Sequence, residues 1–171
     1  DTRLAIIGGG SWGTTLASLV CRNAHVTLWA RDSDVVDEIN GSNTHSRYLE
    51  GLNLNPLLSA TTSLEAAVTD AHAVFMAIPS HNFRSVFEQV APLVPSGAPI
   101  ISMTKGLEAT TQKRMTEVIH EYCPDHPVGV LTGPNLAREI LEGKAAASVL
   151  ALDDASADWL QPILNVGLFL S

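Results

Sequence analysis

Short apolar runs and helical patterns alternate along the whole chain of 171 residues. The runs suited to buried strands are Leu4–Ile7, Val26–Trp29, Ala73–Ala77, Ile100–Ser102, Val128–Leu131 and Ala146–Leu150, and Val166–Leu170 resembles one more. Between them, apolar residues recur at helical spacing over Thr14–Arg22, Val35–Ile39, Leu64–Val68, Phe83–Val90, Lys113–Tyr122, Leu136–Leu141 and Ala157–Leu164, the last weakened by Pro162. Strands alternating with helices argue for an α/β fold, a doubly wound, mostly parallel sheet with helices on both faces. The one long irregular piece is Gly41 to Thr62, rich in Asn, Ser, Gly and Leu. Unstructured segments of that length inside a compact domain tend to be functional or disordered. The pattern contains no internal repeat and no low-complexity tract, so residues 1–171 are expected to form one domain.

The first apolar run meets Gly8-Gly9-Gly10-Ser11-Trp12-Gly13, a Gly-x-Gly-x-x-Gly sequence placed between a strand and a helix. That context is what a dinucleotide fingerprint requires. Gly8 allows the tight turn out of the strand, Gly10 lets the backbone approach a pyrophosphate, and Gly13 lets the helix pack on the sheet. The helix N-terminus then offers unpaired N–H groups and the positive end of its dipole to phosphates. A Rossmann-type dinucleotide-binding domain is therefore expected. After the second strand the chain reads Leu28-Trp29-Ala30-Arg31-Asp32. An NAD-specific site would place an acidic residue at the strand end, where Ala30 stands. The guanidinium of Arg31 suits the 2′-phosphate of NADP, which favours NADPH. Asp32, one residue later, leaves NAD open; the alternative to a cofactor contact is that both residues only begin a solvated helix.

Hydrophobic residues make up 46% of the chain and charged residues 16%, which fits a globular protein rather than a disordered one. A net charge of −8 argues against general binding to nucleic acid or a membrane surface. Two cysteines, Cys21 and Cys123, make neither a disulfide framework nor a metal motif, and no metal site is expected. Without a signal peptide or an apolar run of membrane-spanning length, the expected compartment is the cytoplasm.

Ligands of open α/β sheets bind beyond the carboxyl ends of strands. Three such ends carry unusual chemistry: Ala77-Ile78-Pro79-Ser80-His81, Met103-Thr104-Lys105-Gly106-Leu107-Glu108 and Leu131-Thr132-Gly133-Pro134-Asn135. Lys105 stands out, because a cation there can neutralise a substrate phosphate or polarise a carbonyl oxygen. His81 is either a proton shuttle or a plain loop histidine. Trp12 either lines the cofactor crevice or staples the helix start.

These segments, in this order and spacing, resemble the NAD(P)-dependent sn-glycerol-3-phosphate dehydrogenases of the bacterial type. The matching pieces are Gly8–Thr14, Leu28-Trp29-Ala30-Arg31, Pro79-Ser80, Thr104-Lys105-Gly106-Leu107-Glu108 and Gly133-Pro134-Asn135-Leu136-Ala137. The chain departs from the family's frequent Ala at Gly9 and Thr15. Carried over by position, the resemblance implies that Ser11 and Trp12 contact the dinucleotide, with Arg31 and Asp32 near the adenosine ribose. Tyr48, Pro79, Lys105 and Ala137 would be further cofactor contacts, and Lys105, Gly133 and Asn135 would line the substrate pocket. The substrate would be a small molecule, the pair dihydroxyacetone phosphate and sn-glycerol 3-phosphate, and a homodimeric parent is left open.

The family's catalytic lysine lies in a Lys-Asn motif that opens a helical C-terminal domain, and no such segment precedes Ser171. The chain is thus expected to be an N-terminal domain that binds cofactor but lacks the catalytic residue. The activity implied is reversible reduction of dihydroxyacetone phosphate by NAD(P)H, supplying the backbone of glycerophospholipids. Two alternatives remain at this level: a related two-domain dehydrogenase acting on a hydroxy acid, ketopantoate or an imine, and a non-catalytic dinucleotide sensor.

Overall fold

The computed structural model describes residues 1–133, 136–152, 154–166 and 168–170. Eight strands form one sheet: β1 (Arg3–Ile7), β2 (His25–Trp29), β3 (Ser59–Thr61), β4 (Ala73–Met76), β5 (Ile100–Ser102), β6 (Val128–Thr132), β7 (Ala146–Leu152) and β8 (Leu168–Leu170). Their spatial order is β3-β2-β1-β4-β5-β6-β7-β8. The first six are parallel, in the doubly wound order of a Rossmann sheet. β7 then runs antiparallel to β6, and β8 follows β7's direction.

Alternation of side chains along a strand sends successive residues to opposite faces. In β1 every residue from Leu4 to Ile7 is buried, because both faces are covered. Leu4 and Ile6 join a core with Leu16 and Val20 of α1 (Ser11–Val20) and Val35 and Ile39 of α2 (Ser33–Ser42). Ala5 and Ile7 face the other core, with Val68 of α4 (Leu64–Val68), Phe83 and Phe87 of α5 (Ser80–Val90) and Ile119 of α6 (Met115–Tyr122). The first face also takes α3 (Ser46–Leu49), α7 (Ala137–Leu141) and α8 (Ser156–Leu164), through Leu49, Ile140, Leu160 and Leu164. Cys21 and Cys123 are small buried core residues. None of the described helices is long and apolar enough to cross a membrane.

The structure departs from the sequence pattern in four places. Residues 41–62 are not one irregular stretch: they contain the end of α2, the single-turn α3 and the edge strand β3. β3 is Ser-Ala-Thr, too short and polar to show a hydrophobic pattern. It is held instead by Asn40, whose side-chain amide donates to the Ala60 carbonyl (2.9 Å) and accepts from the Ala60 N–H (2.9 Å). α1 begins at Ser11 rather than Thr14, so the last glycine of the motif lies inside its first turn. Pro162 stays inside α8. Finally, the strand at 146–152 is reversed, since the connection through the five-residue α7 returns the chain along β6.

The glycine motif is set by contact distances. Gly8 has φ +131°, and a Cβ on it would sit 2.2 Å from the Ala77 carbonyl oxygen. A Cβ on Gly13 would sit 2.1 Å from the Gly8 carbonyl oxygen. At Gly10 a Cβ would meet nothing within 4 Å. Gly13→Ala is therefore expected to lower unfolding free energy by about 1–3 kcal/mol, as overpacking of a close contact does. Gly10→Ala is expected to change it much less. Urea denaturation of both variants checks this, through the midpoint shift at constant slope.

Candidate functional site

β1 and β4 are neighbours whose connections leave in opposite directions, so a crevice opens beyond their carboxyl ends. It holds a cleft of about 770 Å³. The loop after β1 supplies its floor: Gly8, Gly9 and Gly10 lead into α1, and Ser11, Trp12 and Gly13 form that helix's first turn. The Gly8 N–H donates to the Trp29 carbonyl (3.0 Å) and the Ala77 N–H to the Ile7 carbonyl (2.7 Å), which stitches three strand ends together. α1 has no side-chain cap at Gly10, and the residues of its uncapped first turn, Ser11 to Gly13, line the cleft. With open space over Gly10, this is the arrangement a pyrophosphate needs, and the residues present fit a dinucleotide. Trp12 lines the cleft and also packs against the core beside it.

The end of β2 forms a second wall. Ala30, Arg31 and Asp32 line the cleft, joined by Arg47 and Tyr48 from the segment around α3. Arg31 is largely exposed, with Nε 3.8 Å from an Asp32 oxygen, while Arg47 donates to the other Asp32 oxygen at 2.7 Å. That bond from Arg47 holds the Asp32 carboxyl below its ordinary range, helped by the charge of Arg31. Two guanidinium groups thus flank one carboxylate at the cleft mouth. Tyr48 is more than half exposed there.

On the opposite side, Pro79, Ser80 and His81 enter α5, and Met103, Thr104 and Lys105 leave β5. The Thr104 hydroxyl donates to the Ile78 carbonyl (2.6 Å), tying the two exits together. Lys105 Nζ donates to the Gly133 carbonyl (3.2 Å), so the ends of β5 and β6 meet at this cation. Gly133 therefore reaches the cleft edge through Lys105. Ala137, the first residue of α7, is half-buried and is not among the residues described as lining the cleft. Asn135, like Pro134, lies outside the described residues.

What holds the Lys105 loop is Glu108. Its carboxylate is almost fully buried and accepts two bonds from Arg84, from Nε (2.7 Å) and Nη2 (2.8 Å), and one from the Thr111 hydroxyl (2.5 Å). Arg84 also donates to Glu121 (2.5 Å) and to the Tyr122 hydroxyl (3.2 Å), and Glu121 is paired with Lys113. The bidentate guanidinium lowers the Glu108 carboxyl to about 2. In the sequence, Thr104 and Glu108 stand inside a motif without a role of their own, and nothing there singles out Arg47 or His45, apart from the place of Arg47 beside Tyr48.

With this geometry in view, comparison with known proteins is specific. The model of the family described as "NAD-dependent glycerol-3-phosphate dehydrogenase N-terminus" matches residues 3–158. The chain is 51% identical, over 98% of its length and 50% of the relative's, to glycerol-3-phosphate dehydrogenase [NAD(P)+] 2 of Sphingopyxis alaskensis. It is 44% identical, over 98% of its length and 47% of the relative's, to glycerol-3-phosphate dehydrogenase [NAD(P)+] of Acinetobacter baylyi. The crystal structure of glycerol-3-phosphate dehydrogenase from Coxiella burnetii superposes with TM-score 0.90 at 30% identity, covering 99% of this chain and 53% of that one. The chain spans about half the length of the curated relatives it matches.

The depressed Glu108 carboxyl makes a signed prediction. Its folded value of about 2 lies below the ordinary 4.5, so its stabilisation is present above pH 4.5 and is lost as pH falls through about 2. Wild type is expected to exceed Glu108→Gln in melting temperature at pH 6. That margin should shrink steadily between pH 4.5 and 2, as thermal melts at matched ionic strength would record.

Proposed function

The chain belongs to the NAD-dependent glycerol-3-phosphate dehydrogenase family, and we propose that residues 1–171 are the dinucleotide-binding half of such an enzyme. The proposed reaction is the reversible reduction of dihydroxyacetone phosphate to sn-glycerol 3-phosphate, in the cytoplasm, as a source of the glycerophospholipid backbone. The observation that carries the reading is Lys105: it lines the same cleft as the glycine loop while its Nζ touches Gly133, the residue that opens the Gly-Pro-Asn segment.

Ser11, Trp12 and the N–H groups around Gly10 would hold the pyrophosphate, where helix N-terminal donors favour negative charge. Arg31 would pair with a 2′-phosphate, and Asp32 would serve a ribose hydroxyl when that phosphate is absent, which supports use of NADPH with NADH also admitted. Tyr48, Pro79 and Ala137 would complete the cofactor contacts. When bound, the reduced nicotinamide supplies the hydride that the carbonyl carbon receives. Lys105 would face the substrate's phosphate or its carbonyl oxygen, with Gly133 and Asn135 beside it, and offset the negative charge that develops on that oxygen. The proton that completes the alcohol would come from a lysine outside these residues, held by the other half of the enzyme. Support for this division of labour comes from the relatives' length, about twice that of this chain.

Two measurements test the reading. In calorimetric titrations of the 171-residue chain, Arg31→Ala is expected to weaken NADPH by about ten- to a hundredfold and NADH much less, the effect of losing one charge-assisted phosphate contact. Equal losses for both cofactors would remove Arg31 from the 2′-phosphate. Gly10→Val is expected to abolish binding of both, because its side chain fills the pyrophosphate space. For the reaction, the whole enzyme should oxidise NADPH only when dihydroxyacetone phosphate is added. The 171-residue chain alone should turn over about a hundred- to ten-thousandfold more slowly, the usual effect of losing a positioned proton donor. Comparable turnover by the short chain would defeat the two-half reading.

A further inference from the structure

His45 lies in the segment between α2 and α3, at the N-terminal end of α3, and its side chain is completely buried. Its Nε2 is 2.7 Å from the carbonyl oxygen of Gly9, 36 residues away in the glycine loop. A carbonyl oxygen can only accept, so Nε2 carries the proton and donates. Nδ1 has no partner among the described residues. A buried imidazole with one idle nitrogen stabilises the core less than leucine or phenylalanine of similar bulk would. The ring is accounted for by the single bond it makes.

That bond controls a direction. The Gly9–Gly10 peptide is trans, and in a planar trans peptide the C=O and the N–H point opposite ways. Fixing the Gly9 oxygen on a buried ring behind the loop turns the Gly10 N–H to the other side. Gly9 and Gly10 line the cleft, His45 is not among its described lining residues, and the space above Gly10 is open. The histidine is itself immobilised on both sides by Glu38. This carboxylate accepts from the Thr44 hydroxyl (2.9 Å), the Ser46 N–H (2.7 Å) and the Ser46 hydroxyl (3.1 Å). The Tyr48 ring, which lines the cleft, tilts against the imidazole with centroids 5.3 Å apart.

We propose that His45 is a positioning residue for dinucleotide binding, which locks the Gly9–Gly10 peptide so that the Gly10 N–H faces the pyrophosphate. The proposal rests on the reading of the cleft as a dinucleotide site. It also gives the segment that carries Arg47 and Tyr48 a physical link to the phosphate loop, since His45 belongs to one and bonds the other. Without the bond the peptide can rotate and present its oxygen, a repulsive partner for a phosphate.

The test uses the 171-residue chain with ¹⁵N-labelled glycine, in wild type, His45→Leu and His45→Gln. Leucine fills the space without a donor; glutamine keeps an N–H at nearly the reach of Nε2. Addition of NADPH should shift the Gly10 amide strongly in wild type and in His45→Gln, and weakly in His45→Leu. The dissociation constant should rise about tenfold or more for leucine, the loss of one well-directed bond to an anion, and stay within about threefold for glutamine. Wild type that binds no NADPH would defeat the dinucleotide reading itself. Binding by wild type with equal affinity in His45→Leu would overturn only the positioning role, as would equal losses in the leucine and glutamine variants. Should His45→Leu not fold, His45→Met, which fills the same space flexibly, replaces it. A wild-type Gly10 amide that ignores bound NADPH would overturn the proposal without any variant.

Discussion

Two carbonyl oxygens occupy the places where side chains would begin on Gly8 and Gly13, and this crowding governs how the first helix meets the sheet. The Gly8 oxygen lies against Gly13, and the Ala77 oxygen against Gly8. α1, the end of β1 and the exit from β4 are consequently in backbone contact. The tip of the helix is brought to the sheet's carboxyl edge, and the cleft lies directly over its first turn. Gly9 continues the theme, since a Cβ there would be 2.6 Å from the Ala30 Cβ. An alanine at that place would need Ala30 to give way. Close packing leaves little room for such shifts.

The remaining walls are built from side-chain bonds rather than backbone contact. Glu108 and Arg84 join the loop after β5 to α5, and through Glu121 to α6. Glu38 does the same for the segment bearing His45 and Arg47. Charge-assisted bonds of this kind fix loops that bury too little apolar surface to hold themselves. Lys105 depends on the first of these braces and Arg47 on the second. A rigid floor with separately braced sides suits a ligand that touches several strand ends at once.

Most of the sheet was legible because its strands are buried on both faces and read as apolar runs, from Leu4–Ile7 to Ile100–Ser102. The glycine motif was legible for another reason: Gly8 and Gly13 answer steric demands that no other residue meets, at a fixed spacing between strand and helix. β3 was not, because Ser59-Ala60-Thr61 is held by Asn40 and by one neighbour strand, not by burial. Nor was the reversal of β7, since strand direction follows from the connection and leaves no mark on composition. Of the site, the residues at strand ends came through, whereas His45 bonds a partner 36 positions away and Arg84 and Glu108 bond each other across 24. No local pattern encodes such pairs. Thr15 shows the converse, a polar choice with no evident gain, for its hydroxyl is buried with no partner among the described residues.

Asn40 has a second effect at the margin of the sheet. In a parallel pair, alternate residues of an outer strand turn their peptide groups away from the neighbour, and Ala60 is the one that does so in β3. Both of its polar groups are taken by the Asn40 amide. The side chain stands where a ninth strand would otherwise lie. An open row of donors and acceptors is a template on which another chain can add itself. Here that row is one residue long and already filled, which shuts this side of the molecule to strand-by-strand association.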